Sequence, residues 1–313
     1  MPWKHYLRLV RPLNLMIMAL ILVMVRYAIF IPVFNQNGLQ GLMPWWQFSL
    51  LILATLLIGA GGYVINDVLD IEIDRVNKPD QQIVGKKISE EKGNKLHINL
   101  TAAGLISGVA FSYLSGNIFL AVLFVIIPTA LFYYSYKYKY IPAVGNVVVA
   151  LLAAMVVLIY WLFEFYNLKK QPDLFIDASL SFKQINRFVL SFAFFAFFTT
   201  LIREIVKDAQ DIEGDRRFGC RTLPVIMGLS GSKWLIIILI VINIATVAWF
   251  QFSLFSGEYA ILASFLGATQ LLLLFSIYKT LKVSNKQDWA TISLVLKIVM
   301  LSGILSLGAL WIH

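Results

Sequence analysis

Two acidic runs contain the residues whose types and spacing could do chemistry. Both runs have the spacing Asp-x-x-Asp-x-x-x-Asp, and each Asp of the second run stands 141 residues after its counterpart in the first. The six residues are Asp67, Asp70, Asp74, Asp208, Asp211 and Asp215. On a helix, the three Asp residues of each run lie within about 60° of arc. Each run therefore predicts one acidic stripe, and the duplication predicts that the two stripes meet.

The chemistry of such stripes follows from their charge. Neighbouring carboxylates repel one another, so a cluster at the edge of an apolar segment needs a counterion. Oxygen ligands without His or Cys favour hard cations, and Mg²⁺ takes one or two carboxylates while keeping positions for phosphate oxygens. We therefore predict that all six Asp residues are Mg²⁺ ligands and that the bound Mg²⁺ holds a diphosphate substrate. Glu72 and Glu213, about 140° from the first Asp of each run, are predicted to point elsewhere.

Two basic residues stand just before the second run. Lys207 precedes Asp208 directly, and Arg203 lies one helical turn earlier. Lys offers a point charge and Arg a bidentate fork to phosphate oxygens. Both are predicted to bind the diphosphate, with ordinary anchoring at the membrane surface as the alternative.

Apolar helices must position these residues. The 313 residues are 59% hydrophobic and 14% charged, with a mean hydropathy of +0.79, outside the range of soluble domains. Nine windows are long enough to cross a hydrocarbon core as helices, and they lie at about 14–34, 47–66, 99–115, 118–135, 142–163, 184–206, 234–253, 259–278 and 290–312. We predict an all-α, polytopic membrane protein, one domain over 1–313, with nine helices in a bundle. Residues 1–12 are predicted to form an interfacial helix.

The distribution of basic residues predicts the topology. With the N-terminus in the cytoplasm, cytoplasmic segments hold 20 of the 26 Lys and Arg residues. Both acidic runs then lie at the cytoplasmic face of the cytoplasmic membrane. The formal charge of +9 reports this topology, so no nucleic-acid partner is expected. One Cys and three scattered His support neither a disulfide framework nor a zinc site.

The sequence resembles the UbiA superfamily of intramembrane prenyltransferases, in which two Asp-rich cytoplasmic motifs bind Mg²⁺ and an isoprenyl diphosphate. The first motif matches as Asn66-Asp67-x-x-Asp70-x-x-x-Asp74 and the second as Lys207-Asp208-x-x-Asp211-x-x-x-Asp215. Finer features resemble the branch that contains digeranylgeranylglyceryl phosphate synthases, namely Arg11-Pro12-x-Asn14, Asn77-Lys78-Pro79, Tyr134-Ser135-Tyr136-Lys137 with Gly145-Asn146, and Arg203-Glu204-x-x-Lys207-Asp208. The chain departs from the family pattern at Gln81-Gln82, where Arg-Pro is usual, and at Gln210, commonly Glu.

The resemblance implies ionisation of an allylic isoprenyl diphosphate and capture of the carbocation by a lipophilic acceptor, here a geranylgeranylglyceryl phosphate-like lipid. Membrane lipid is expected to surround the protein. It implies that the catalytic residues are Asp67, Asp70, Asp208 and Asp211, and that the diphosphate-binding residues are Asn66, Lys207, Arg203, Lys137 and Asn146. Aromatic acceptors of quinone or tocopherol synthesis and a chlorophyll-type alcohol are alternatives. A cation-coupled transporter with duplicated helices is an alternative of another class.

Other residues within the predicted spans allow two interpretations. Arg26 and Lys297 are charged inside spans, which makes them functional candidates, but either could reach the membrane surface instead. Neither is assigned a catalytic role. The sixth span is rich in Phe, at positions 192, 194, 195, 197 and 198, which could line a groove for an isoprenoid tail or face lipid.

Overall fold

The computed structural model describes residues 3–255 and 259–311, and within them the chain is helical, as predicted. The α-helices are α1 (Trp3–Leu9), α2 (Pro12–Met24), α3 (Ile31–Gln36), α4 (Trp45–Leu69), α5 (Ile71–Asn77), α6 (Glu90–Leu114), α7 (Ala121–Tyr136), α8 (Val144–Leu168), α9 (Pro172–Gln210), α10 (Ile212–Arg217), α11 (Leu223–Phe255), α12 (Ala260–Leu281) and α13 (Lys286–Ser306). A π-helical segment, Val25–Phe30, joins α2 to α3.

Nine helical stretches in the described part of the chain are long and apolar enough to cross a membrane. They are Pro12–Gln36, Trp45–Leu69, Glu90–Leu114, Ile118–Tyr136, Val144–Leu168, Pro172–Gln210, Leu223–Leu254, Ala260–Leu281 and Lys286–Trp311. Each overlaps one predicted window, and the division at residues 115–117 is confirmed. Position 312 of the last window and positions 1 and 2 of the predicted interfacial helix lie outside the described residues.

Several helices extend well beyond their apolar windows, so the predicted boundaries are wrong there. The 39 residues of α9 are about 58 Å long, nearly twice a hydrocarbon core of ~30 Å. Helix α6 starts at Glu90, where the Ser89 side chain caps it by accepting a hydrogen bond from the Lys92 amide at 3.4 Å. Polar turns continue a helix into water without changing the apolar window, which is why hydropathy alone underestimates these lengths.

The N-terminal helix is shorter than predicted. It ends at Leu9, and Leu9 is fully buried against a cluster that includes Val64 and Val68 of α4. Trp3 and Leu7 remain exposed apolar residues on the same short helix. Packing of Leu9 therefore ties α1 to α4, while its position at a membrane surface stays a prediction.

A buried polar network lies at the end of the bundle away from the acidic runs. Arg26, only 7% exposed, donates to the Tyr160 hydroxyl at 3.1 Å and to the Met43 carbonyl oxygen at 2.6 Å. The Met43 amide in turn donates to the Glu164 carboxylate at 2.7 Å. Arg26 therefore does not reach a membrane surface. It fastens the α3–α4 loop to α8 inside the protein.

Candidate active site

Each acidic run interrupts a long helix at its second Asp. Helix α4 ends at Leu69 and α5 begins at Ile71, with Asp70 between them at φ −96° and ψ 11°. Asp211 separates α9 from α10 in the same way, at φ −103° and ψ 11°. The expectation of one continuous helical stripe is therefore wrong for both runs. The two interruptions have the same geometry, which extends the 141-residue repeat from sequence to backbone.

A direct contact holds the two short helices together. The Asn77 side-chain oxygen at the end of α5 accepts a hydrogen bond from the Gly214 amide of α10 at 2.9 Å. A Cβ atom at Gly214 would lie 2.5 Å from the Asn77 side chain, so this approach requires glycine. Asn77 is 5% exposed, and its carbonyl oxygen accepts from Lys286 at 2.7 Å. The contact between Asn77 and Gly214 thus joins the ends of the two runs.

All six Asp residues line a single cavity of about 700 Å³. Apolar residues two or more helical turns from the runs line it as well, among them Ile21, Ile58, Phe195 and Ile304. Phe192 also lines the cavity, whereas Phe194 is 46% exposed on the outer side of α9. The cavity therefore combines a charged mouth with an apolar interior.

Three cations contact the carboxylates of the cavity mouth. Arg11 forms an ion pair with Asp67 at 2.5 Å, and Lys139 forms one with Asp70. Lys78 contacts a carboxylate of each run, Asp74 at 3.5 Å and Asp211 at 3.4 Å. Sequence reasoning did not assign these cations to the site. Arg11 and Lys78 stand in the motifs Arg11-Pro12 and Asn77-Lys78-Pro79, which were interpreted only as features of the branch, whereas no motif contained Lys139.

The two predicted Asn residues each contact one acidic run. Asn66 donates to the Asp70 carboxylate at 3.0 Å. Asn146, at the start of α8, donates to the Asp208 carboxylate at 2.7 Å. Both amides therefore orient carboxylates, and Asn66 lines the cavity directly.

The basic residues predicted to bind diphosphate divide into two groups. Lys207 and Arg203 line the cavity and share Glu204, with contacts at 2.8 and 3.2 Å respectively. Lys137 is exposed and is not a lining residue, so the structure does not bring it to the cavity. Helix α7 ends at Tyr136, and the 3₁₀ turn that follows directs Lys139 inward instead.

The two Glu residues of the runs lie outside the site, as their helical angle predicts. Glu72 is exposed and pairs with Arg75 at 2.9 Å. Glu213 is also exposed on α10. Neither carboxylate lines the cavity, which makes both residues useful controls for the Asp residues beside them.

Burial and mutual repulsion perturb the carboxylates of the mouth. Burial, with nearby Asp residues adding to it, raises the pKa of Asp74 to about 6 and the pKa of Asp215 to about 7. Burial acts to lower the pKa of Lys78, but Asp211 and Asp74 outweigh it and raise that pKa above its ordinary value. The negative charges at the mouth are thus only partly compensated, which favours protonation of Asp74 and Asp215 near neutral pH.

The donor set fits a hard divalent cation. The six Asp side chains of the two runs offer only oxygen atoms, and Asp211 Oδ1 is buried without a hydrogen-bond partner among the described residues. In that same part of the chain, no three His, Cys, Asp or Glu residues converge closely enough to enclose a metal ion by themselves. A bound ion would therefore need further oxygen ligands from a phosphate group or water, which is the usual situation for Mg²⁺.

Mg²⁺ affinity is expected to depend on pH. Because Asp74 and Asp215 have pKa values of about 6 and 7, protons compete with the metal below those values. Lowering the pH from 8 to 5 should weaken binding, by up to about tenfold per pH unit for each displaced proton, with little change above pH 8. Calorimetric titration with Mg²⁺ in buffers of different ionisation enthalpy measures both affinity and proton release. An affinity that is constant from pH 5 to 8, without proton release, would contradict this prediction.

Known proteins resemble this chain over most of its length. The UbiA prenyltransferase family model matches residues 38–301. Digeranylgeranylglyceryl phosphate synthase of Sulfolobus acidocaldarius is 34% identical over 196 residues, 61% of this chain and 62% of that protein. The synthase of Methanoculleus marisnigri is 38% identical over 58% of this chain and 57% of that protein. The chain thus spans less than two thirds of these two relatives, whereas a Methanosphaera stadtmanae synthase is 29% identical over 82% of this chain and 86% of its own.

Solved structures share the fold. A structure of digeranylgeranylglyceryl phosphate synthase in membranes superposes with a TM-score of 0.66 at 24% identity, covering 99% of each chain. A UbiA homologue from Archaeoglobus fulgidus bound to DMAPP and Mg²⁺ gives 0.56 at 18% identity, covering 97% of this chain and 99% of that one. With the helices and the paired acidic runs, these matches lead to one conclusion. The chain is a polytopic integral membrane protein and belongs to the UbiA prenyltransferase family.

Proposed function

We propose that this protein transfers an isoprenyl group from an allylic isoprenyl diphosphate to a prenylated glycerol phosphate of the geranylgeranylglyceryl phosphate type. One observation carries the proposal: both acidic runs line the mouth of a cavity whose deeper walls are apolar. A charged mouth suits a diphosphate group, and an apolar interior suits an isoprenoid tail.

The proposed donor site consists of the six Asp residues with Mg²⁺. The Archaeoglobus fulgidus homologue, solved with DMAPP and Mg²⁺, supports this donor class and this metal. When bound, the ion would supply Lewis-acid stabilisation of the charge on the departing diphosphate. The residues proposed to hold it are Asp67, Asp70, Asp74, Asp208, Asp211 and Asp215, and Asn66 and Asn146 orient two of these carboxylates.

In the proposed reaction, the donor carbon–oxygen bond breaks to give an allylic cation and diphosphate. The acceptor hydroxyl oxygen then bonds to that carbon and releases its proton to the departing diphosphate. Lys207 lines the cavity and can offset the charge that develops on the leaving diphosphate. Ile58 and Phe195 belong to the apolar walls, which limit the access of water that would quench the cation.

The acceptor class rests on the relatives, since several are digeranylgeranylglyceryl phosphate synthases. The transporter alternative fits the site less well, because transporter sites usually lie near the middle of the membrane at broken helices. Here the acidic runs lie where α4 and α9 end. An aromatic or chlorophyll-type acceptor has no supporting observation among these relatives.

We also propose that the cavity mouth faces the cytoplasm and that the protein lies in the cytoplasmic membrane. The excess of Lys and Arg in the segments on that side supports this orientation. Lys286, which starts α13, contacts Asn77 beside the first acidic run, so two of these basic segments are at the same end of the bundle.

The test is a transfer assay with purified protein in detergent. Geranylgeranyl diphosphate is supplied with geranylgeranylglyceryl phosphate, an aromatic acceptor or no acceptor, with Mg²⁺ or with EDTA. We expect Mg²⁺-dependent diphosphate release and a doubly prenylated glycerol phosphate by mass spectrometry. If only the aromatic acceptor gave a product, the proposed glycerol phosphate acceptor would be wrong. Absence of diphosphate release under every condition would reject isoprenyl transfer.

A further inference from the structure

Lys297 is a charged residue in the interior of a membrane-spanning helix. It stands eleven residues after Lys286 in α13, and its side chain lines the cavity. Within the described residues, its amine makes no hydrogen bond and no ion pair. A lysine held in this position without an anion is unfavourable, because intramembrane charges are normally paired or hydrated.

The charged groups that act on Lys297 do not supply the missing anion. They are Arg203, Lys207 and Arg11, which are all cations. The carboxylates nearest to these cations are already engaged, since Glu204 contacts both Arg203 and Lys207. Arg203 Nε is moreover buried without a hydrogen-bond partner among the described residues. This side of the cavity therefore has surplus positive charge and an unused donor.

Along its own helix, Lys297 lies deeper in the bundle than the level of the acidic runs. Lys286 contacts Asn77 at the level of the acidic runs, and Lys297 lies about 16 Å further along the helix axis. Arg203 lies about 8 Å along α9 from Asp208, and both residues line the cavity. A diphosphate bound by both acidic runs at the mouth would leave the Lys297 amine unpaired. The cavity thus has room and charge for a second anionic group.

We propose that Lys297, with Arg203, binds the phosphate of the acceptor and so selects a phosphorylated glycerol ether over an uncharged one. This inference rests on the proposed transfer to a glycerol phosphate lipid. Lys297 is then a specificity-determining residue, and the acceptor hydroxyl would lie between the acceptor phosphate and the donor diphosphate. Lys207, closer to the second acidic run, stays with the donor.

The experiment compares two acceptors with four proteins. The acceptors are geranylgeranylglyceryl phosphate and the same ether without its phosphate. The proteins are wild type, Lys297→Met, Lys297→Arg and the control Lys183→Met, which changes an exposed lysine of a different helix, α9. Initial rates of product formation give KM and kcat for each acceptor, and KM for the donor is measured in parallel.

We expect Lys297→Met to raise KM for the phosphorylated acceptor by about tenfold or more, the effect of losing one charged hydrogen bond. Its KM for the donor and its rate with the phosphate-free ether should stay near wild type, Lys297→Arg should recover most of the loss, and Lys183→Met should match wild type. Equal losses with both acceptors, or a raised KM for the donor instead, would overturn the inference while leaving the transfer function intact. A wild-type protein without product from either acceptor would overturn both.

Discussion

Replacing Asp67 or Asp208 with Asn is expected to lower the rate of isoprenyl transfer by a factor of about 10³ or more. The first Asp of each run lines the cavity, where Asp67 contacts Arg11 and Asp208 accepts from Asn146. Asn has nearly the same shape but no negative charge. Each variant would therefore remove one carboxylate ligand from the proposed Mg²⁺ and weaken its hold on the diphosphate. Mg²⁺-dependent diphosphate release from geranylgeranyl diphosphate measures the loss.

The runs themselves provide matched controls. Glu72→Gln and Glu213→Gln remove a negative charge within a few residues of the same sites, but both side chains are exposed and outside the cavity. Their activity should stay within about threefold of wild type, as is usual for exposed surface positions. If the Glu variants lost as much activity as the Asp variants, general electrostatics would explain the effect and the proposed ligands would be wrong. Thermal unfolding curves would show that all four proteins are folded.

Replacing Glu164 with Ala is expected to destabilise the protein by about 3–5 kcal/mol, the usual effect of breaking a buried charged network. Glu164 is fully buried and accepts the hydrogen bond of the Met43 amide, and Tyr160 lies between it and Arg26. Without the carboxylate, the Met43 amide has no acceptor and Arg26 has no compensating negative charge. Thermal unfolding in detergent measures the loss.

Two further variants identify the source of that loss. Glu164→Gln keeps an acceptor for the Met43 amide and should therefore be less destabilised than Glu164→Ala. The double variant Arg26→Met with Glu164→Ala should lose less stability than the sum of the single changes, because the first change removes the charge that the second leaves unpaired. Additive losses would mean that the two residues act independently.

The helices and the pairing of the acidic runs could be predicted because their signals are local or repeated. Apolar windows mark each span, and the 141-residue offset links the two runs without any knowledge of the fold. The family resemblance was readable for the same reason, since the motifs are short and nearly contiguous. The helix ends outside the lipid could not be predicted as well, because polar turns carry no hydropathy signal.

The contacts within the site could not be predicted, because they depend on turns and on distant residues. Lys137 and Lys139 differ by two positions, and only the end of α7 at Tyr136 decides which of them faces the cavity. Lys78 contacts Asp211 across 133 positions of sequence, and Arg26 contacts Tyr160 across 134. A charged residue inside a span predicts that it has a partner. It does not identify that partner.

The hydrogen bond between Asn77 and Gly214 limits where the chain can gain or lose residues. One residue inserted between Asp70 and Asn77 would turn the end of α5 by about 100° and carry Asn77 away from Gly214. A deletion between Asp211 and Gly214 would do the same from the other side. Length changes in Lys169–Gln171, the turn between α8 and α9, would leave that contact untouched. The junction therefore fixes two spacings, seven residues from Asp70 to Asn77 and three from Asp211 to Gly214, whatever the length of the chain between the two runs.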